Sequence, residues 1–188
     1  MLTAIAQSEL IIRETTVQDI PAIQRIYAFY VLNSLATFEE TPPSIEELAN
    51  RRATILGAGL PYIAAELDGM LVGYAYASHY RPRAAYLHTI EDSVYVTDGF
   101  AGKGIGRTLL GTLISRCEAG RWRQCVAVIG GGQNAASVAL HERFDFRRVG
   151  VLVSVGFKLG QWVDTIVMQR ALGGGNSSLP EGKQAPPP

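Results

Sequence analysis

Residues 94–110 read VYVTDGFAGKGIGRTLL. A β-rich run leads into a turn, glycines stand at the alternate positions 102, 104 and 106, and a helical pattern follows. Glycines there let backbone N–H groups approach a ligand without side-chain obstruction, and the helix N-terminus adds its partial positive charge. The geometry suits a phosphate or pyrophosphate. The Walker pattern fails on spacing, because Thr97 stands where its first glycine belongs and Gly104 follows Lys103 where Ser or Thr is needed. The dinucleotide fingerprint, counted from Gly102, meets Arg107 at its third glycine and belongs early in a βαβ chain. A flexible turn that only caps a helix is the plain alternative. Three glycines with Lys103 and Arg107 favour anion binding over it.

Working outward, residues 10–13 predict a short strand. Asp19 then caps a helix with apolar Ile23, Ile26, Tyr27 and Tyr30 at helical spacing. Ser44-Ile45-Glu46-Glu47 is a capping box that opens a second helix ending near Gly57 or Gly59, and Pro61 closes that unit. Residues 62–67 and 70–80 predict two antiparallel strands joined by Asp68-Gly69. Residues 89–97 predict a strand, 104–117 a helix, 125–129 a buried strand, 135–144 a helix, and 146–152 with 162–169 two closing strands. The order β-α-α-β-β-β-α-β-α-β-β implies one α/β domain over residues 1–172. The tail 173–188, GGGNSSLPEGKQAPPP, is expected to stay disordered, since it has little apolar surface to bury.

Composition narrows the function class. With 188 residues, 47% hydrophobic and 18% charged, the chain can build one sizeable core. Its 17 Lys+Arg balance 17 Asp+Glu, so no net field draws it to nucleic acid or anionic lipid. The opening MLTAIAQSEL lacks the charged and apolar segments of a secretory leader, and no stretch is long enough to span a bilayer, so a cytoplasmic location is expected. Cys117 and Cys125 have no histidine placed to complete a metal pattern and read as core thiols; neither sits at a turn or helix start that would favour a catalytic thiolate.

The run Gly-Lys-Gly-Ile-Gly-Arg after Val-Tyr-Val resembles the pyrophosphate loop of the GNAT superfamily of acyl-CoA-dependent acetyltransferases. The segments IYAFYVLNSLATFEETPPS, VGYAYASHYRPRAAYLHTIEDSVYV, AVIGGGQNAASVALHERFDF and VGFKLGQWVDTIVMQRAL are similar to its phosphinothricin N-acetyltransferase branch and cover most of residues 10–172. The resemblance implies the GNAT fold, a mixed and mostly antiparallel central sheet flanked by helices, and acetyl-CoA as co-substrate without a metal. Two positions depart from the pattern. Ala101 stands where the loop usually begins with Gln or Arg, and Asp145-Phe146 replaces Gly-Phe after the fourth helix. The backbone donors survive the first change, and Asp tolerates positive φ better than most residues.

Acetyl transfer to an amine needs a base, an oxyanion donor and a proton for the departing thiolate. On a strand Glu91 and Asp92 point to opposite faces, and the resemblance favours Glu91 as the base; without it Glu91 reads as a solvated carboxylate. Val94, Tyr95 and Val96 are expected to pair with the pantetheine arm and to supply the oxyanion N–H, while Gly102, Lys103, Gly104, Ile105, Gly106 and Arg107 hold the pyrophosphate. Asn134 and Ser137 open the fourth helix, and His141 lies one turn beyond Ser137. In the branch a His at this place is implied to protonate the thiolate, whereas His79 and His88 read as surface or packing residues. Arg81 and Arg83, spaced i and i+2, would face one way on an extended backbone and clamp a carboxylate; spacing alone serves a solvated basic loop equally well. Thr37, Phe38 and Glu39 match the branch's substrate-side loop, with Phe38 packing the substrate's methylene or methyl group.

The resemblance further implies a homodimer in which Lys158 and Trp162 of one chain reach the other's pocket. The apolar groups on both sides of residues 163–168 also call for a cover, although a Trp packed within its own domain competes with that reading. The expected activity is therefore N-acetylation of phosphinothricin, methionine sulfoximine, methionine sulfone or a similar analogue, with detoxification as the implied role. A protein or amine N-acetyltransferase would want acidic residues in place of the Arg pair. A non-catalytic acyl-CoA-binding module would have lost Glu91 and His141.

Overall fold

The structure, a computed structural model, describes residues 9–131 and 134–180. The elements are β1 (Leu10–Glu14), α1 (Ile20–Asn33), α2 (Ile45–Gly57), β2 (Tyr62–Leu67), β3 (Met70–His79), β4 (Thr89–Val96), α3 (Ile105–Glu118), β5 (Gln124–Gly130), α4 (Ala135–Glu142), β6 (Arg147–Lys158) and β7 (Gln161–Ala171). They form one mixed α/β unit around a seven-stranded sheet in the order β1-β2-β3-β4-β5-β7-β6. Every neighbouring pair is antiparallel except β4 and β5, which run parallel. No helix among the described residues is long and apolar enough to cross a membrane.

Strand alternation separates two cores. Ile63, Ala75, Ala77, Ile90, Ala127 and Met168 face α3, whose Leu109, Leu110 and Leu113 are fully buried against them. Tyr62 and Tyr74 face the other way, onto Ile20, Ile23, Ile26 and Tyr27 of α1 and Leu48 of α2. Burying such side chains stabilises the fold by roughly 1.5–3 kcal/mol each.

The parallel pair creates the opening. β4 and β5 are in register only over Thr89–Glu91 and Gln124–Val126, although β4 continues to Val96 and β5 to Gly130. Beyond Glu91 the strands part, and their unpaired edges flank a gap through the sheet.

Local differences from the sequence reading have local causes. Asp19 does not cap α1 with its side chain; it closes a 3-10 turn (Val17–Asp19), accepts from the Thr16 N–H at 2.6 Å and pairs with Arg13 at 2.8 Å. α4 ends at Glu142 because Asp145 takes φ +62, the left-handed turn its Gly-Phe counterpart would adopt. β6 and β7 are longer than expected and join through Leu159 and Gly160, both at positive φ, so Lys158 and Trp162 sit at a hairpin tip. Residues 173–178 of the expected disordered tail form turns and bends, and Arg123 donates to the Leu179 carbonyl at 3.2 Å; residues 181–188 lie outside the described residues.

Candidate active site

Where β4 and β5 part, a cavity of about 890 Å³ opens on both faces of the sheet. Its walls include Glu91 to Val96 on β4, Ala127 to Gly130 on β5, Gly102, Gly104, Gly106 and Arg107 at the glycine turn, Asn134 capping α4, and Ser137 and His141 on α4. Thr37 and Phe38 close it from the loop after α1.

The α3 side is built from backbone. Gly102 and Gly104 sit at φ +77 and +82, and a Cβ at either would meet nothing within 4 Å, so open space faces both. Gly104 is also the residue from which α3 starts. The turn therefore presents a helix N-terminus to an unobstructed hollow, which fits a pyrophosphate. Ile105 instead packs in the core, and the Lys103 ammonium lies 4.5 Å from the centre of the Phe100 ring, so neither side chain lines the cavity.

Backbone direction on β4 follows from two hydrogen bonds. Thr97 N–H donates to Val72 O of β3 at 2.8 Å, and Tyr80 N–H of the β3 side donates to Thr89 O at 3.3 Å. By strand alternation the odd-numbered residues address β3, while the N–H groups of Val94 and Val96 point into the gap. Tyr95 turns its ring away, into edge and stacked contacts with Tyr27, Tyr30 and Tyr74 at 5.2 Å.

On the α1 side, Glu91 lies directly across from Ser78 and shares its face with Ser93 and Tyr76. Burial, reinforced by the charge of Asp92 and opposed by Arg81, pushes its pKa up to about 7. A carboxyl group so placed is poised to exchange a proton near neutrality. Phe38 reaches its place because Gly156 leaves room for it: a Cβ there would come within 3.0 Å of the ring.

The loop carrying Thr37, Phe38 and Glu39 is clamped. Tyr27 Oη lies 3.0 Å from Thr37 Oγ1 and donates to Glu39 at 2.9 Å, and Arg51 of α2 donates to the same carboxylate at 2.7 Å. Glu39 thus fixes the loop instead of lining the cavity. Lys158, 3% exposed, donates to Thr37 O at 2.6 Å. This corrects its expected place: the ammonium is held by its own chain's loop, because the β6–β7 hairpin folds back over that loop. Trp162 at the same tip is 67% exposed and touches Phe157 edge-on.

Two other readings change. Arg81 and Arg83 do not line the cavity, since the chain bends at 80–83 and enters a 3-10 turn (Ala84–Tyr86) instead of staying extended. Arg81 lies over the Tyr80 ring at 5.1 Å. His141 is 5% exposed, and both its ring nitrogens are engaged, Nδ1 with Ser137 O at 2.7 Å and Nε2 with Asp92 Oδ2 at 2.9 Å. Burial opposes its charging, but the hydrogen bond and charge of Asp92 outweigh burial and raise its pKa. Cys117 and Cys125 are buried, and burial pushes Cys117 up to about 12 and Cys125 well above the ordinary thiol range.

Sequence reasoning missed Asp92 as a partner, Arg51 as a clamp, and Tyr76 and Thr165 as cavity residues. The alternation Tyr74, Tyr76, Ser78 on β3 was the available signal for Tyr76. Nothing local marks the others, since Asp92 and His141 are separated by 49 positions.

Comparison with known proteins agrees with this geometry. The acetyltransferase (GNAT) domain model matches residues 12–167. A phosphinothricin N-acetyltransferase of Alcaligenes faecalis is 52% identical over 94% of this chain and 90% of its own length. An L-methionine sulfoximine/L-methionine sulfone acetyltransferase of Pseudomonas aeruginosa is 41% identical over 84% of this chain and 92% of its own. The crystal structure of a GNAT superfamily phosphinothricin acetyltransferase from Sinorhizobium meliloti in complex with AcCoA superposes with a TM-score of 0.89 at 46% identity, covering 92% of this chain and 94% of that one.

Proposed function

The chain belongs to the GNAT acetyltransferase family, and we propose that it transfers the acetyl group of acetyl-CoA to the amine of phosphinothricin, methionine sulfoximine, methionine sulfone or a close analogue. The observation that carries this reading is the parting of β4 from β5 beside Glu91, where a cavity open to both faces of the sheet lets donor and acceptor meet.

Acetyl-CoA supplies an activated thioester when bound. Gly102, Gly104 and the first turn of α3 hold its pyrophosphate through backbone N–H groups and the helix dipole, with Arg107 adding charge at the wall. The unpaired edge of β4 receives the pantetheine arm, and the N–H of Val94 or Val96 stabilises the negative charge that develops on the acetyl oxygen. Glu91 takes the proton of the incoming ammonium, directly or through water, so that the nitrogen can attack. Protonated Glu91, with a pKa of about 7, is acid enough to return that proton to the departing thiolate. His141 lacks a free N–H for that step.

Phe38 packs the acceptor's methylene or methyl group. Arg81, near enough to Glu91 for its charge to lower that pKa, meets the acceptor's carboxylate. Acetylation removes the analogue's amine charge and so its likeness to an amino acid, which supports a detoxifying role.

A second copy completes the assembly. Edge strand β6 and its hairpin carry exposed Val151, Val153, Val155, Phe157 and Trp162, an apolar surface suited to a homodimer. A thiol-release assay with acetyl-CoA across the three analogues and ordinary amino acids tests the activity. Turnover confined to the analogues supports it; acetyl-CoA binding without thiol release on any of them returns the chain to a non-catalytic binding module.

A further inference from the structure

The buried pair Asp92–His141 lies on the α3/α4 side of the gap, on the opposite face of β4 from Glu91, and the chemistry above does not use it. Asp92 is 7% exposed and His141 5% exposed. Ser137 O can only accept, so His141 Nδ1 carries a proton. Nε2 lies at hydrogen-bond distance, 2.9 Å, from an Asp92 oxygen, which requires a proton between them, and the raised pKa of the imidazole places that proton on the ring. The other Asp92 oxygen accepts from Cys125 Sγ of β5 at 3.7 Å, and the Phe146 ring stands edge-on to the imidazole at 5.0 Å. Besides His141, the titratable groups that feel Asp92 are Glu91 beside it on β4, Cys125 of β5 and Cys117 of α3; burial keeps both cysteines as neutral thiols, and burial with the charge of Asp92 pushes Glu91 up to about 7.

The pair therefore joins three elements at the fork. Asp92 is the first β4 residue past the last parallel pair, Cys125 belongs to the β5 stretch still in register, and His141 belongs to α4, whose N-terminal Asn134 and Ser137 line the cofactor side of the cavity. α4 has few other attachments, since it is short and only Val138 and His141 are buried.

We propose that Asp92 is a positioning residue for the cofactor side: it holds His141 as a doubly donating imidazolium and so pins α4 to β4 where the strands part. His141 then acts as a charged fastener, with no proton to pass. The part of the test that reads acetyl-CoA rests on the function proposed above, and the other part stands without it.

In nitrogen-15-labelled protein, wild-type His141 should keep two slowly exchanging ring N–H protons above neutral pH, and Asp92→Asn should leave one. By calorimetry, the acetyl-CoA Kd of Asp92→Asn should rise on the order of tenfold or more. His141→Gln, which keeps a donor toward Asp92, should recover most of the affinity lost in His141→Ala. A wild-type ring that sheds one N–H on passing through neutral pH overturns the proposal, as does unchanged acetyl-CoA affinity in folded Asp92→Asn. Should Asp92→Asn fail to fold, the wild-type spectrum and the two His141 variants decide: equal losses in both variants overturn it. If the wild type binds no acetyl-CoA, the proposed function fails, while the ring protons still judge the pair.

Discussion

The two faces of the sheet at the fork are built on different principles. On the α3/α4 face the cavity wall is largely backbone, two glycines at positive φ, a helix N-terminus and the β4 edge, with Arg107, Asn134 and Ser137 beside them and one buried pair behind. On the α1/α2 face it is side chain, with Glu91, Tyr27, Tyr30, Tyr76, Thr37 and Phe38 drawn from separated segments and a loop tied down by Arg51 and Lys158. A cofactor that never changes can be met by fixed backbone donors, whereas an acceptor that differs between relatives is met by replaceable side chains.

The contrast breaks most severely at Gly104. A Val there must adopt φ +82 and projects its side chain into the hollow, so acetyl-CoA binding by calorimetry should vanish while the fold, read by circular dichroism, persists. Unchanged affinity would remove the cofactor from this turn.

On the other face, Glu91→Gln should lower kcat by roughly 10²–10⁴-fold. Wild-type kcat/KM should fall as pH drops through about 7, where the carboxylate takes up its proton, and the Gln variant should lack that inflection. The same burial that tunes Glu91 costs stability. Its folded pKa of about 7 lies above the ordinary 4.5, so between these values the folded state binds the extra proton and stability falls as pH rises. Urea denaturation above pH 7 should therefore find Glu91→Gln more stable than wild type by roughly 1–3 kcal/mol, with the gap closing toward the ordinary carboxyl pKa. A gap that widens instead would mean that Glu91 is not buried.

Arg51→Ala loosens the loop without touching the cofactor face. The acceptor KM should rise roughly three- to tenfold, the effect of losing about 1 kcal/mol from a half-exposed pair, while the acetyl-CoA KM stays put. Equal rises in both constants would erase the division between the faces. The smallest effect is expected from Trp162→Ala, which should shift the monomer–dimer equilibrium in sedimentation and leave the acetyl-CoA Kd unchanged. A wild type that is monomeric at micromolar concentration and fully active would leave the exposed β6 surface without a second copy to cover it.

Much of the fold, and the glycine turn of the candidate site, were legible in the sequence. The glycine turn, the Asp68-Gly69 hairpin, the order of strands and helices, and Asp145 in a left-handed turn all follow from φ/ψ preferences and apolar periods that act over a few residues. Those rules also set Glu91 and Asp92 on opposite faces of β4. They could not show that β4 and β5 separate after Glu91, that Asp92 meets His141, that Arg51 and Lys158 hold the Thr37 loop, or that Arg81 and Arg83 leave the cavity wall. Each of these depends on which distant segments the strand order brings together. The surroundings then settle what the meeting does to a charge: burial raises Glu91 toward neutrality, whereas at His141 the hydrogen bond and charge of Asp92 outweigh burial and raise the imidazole pKa.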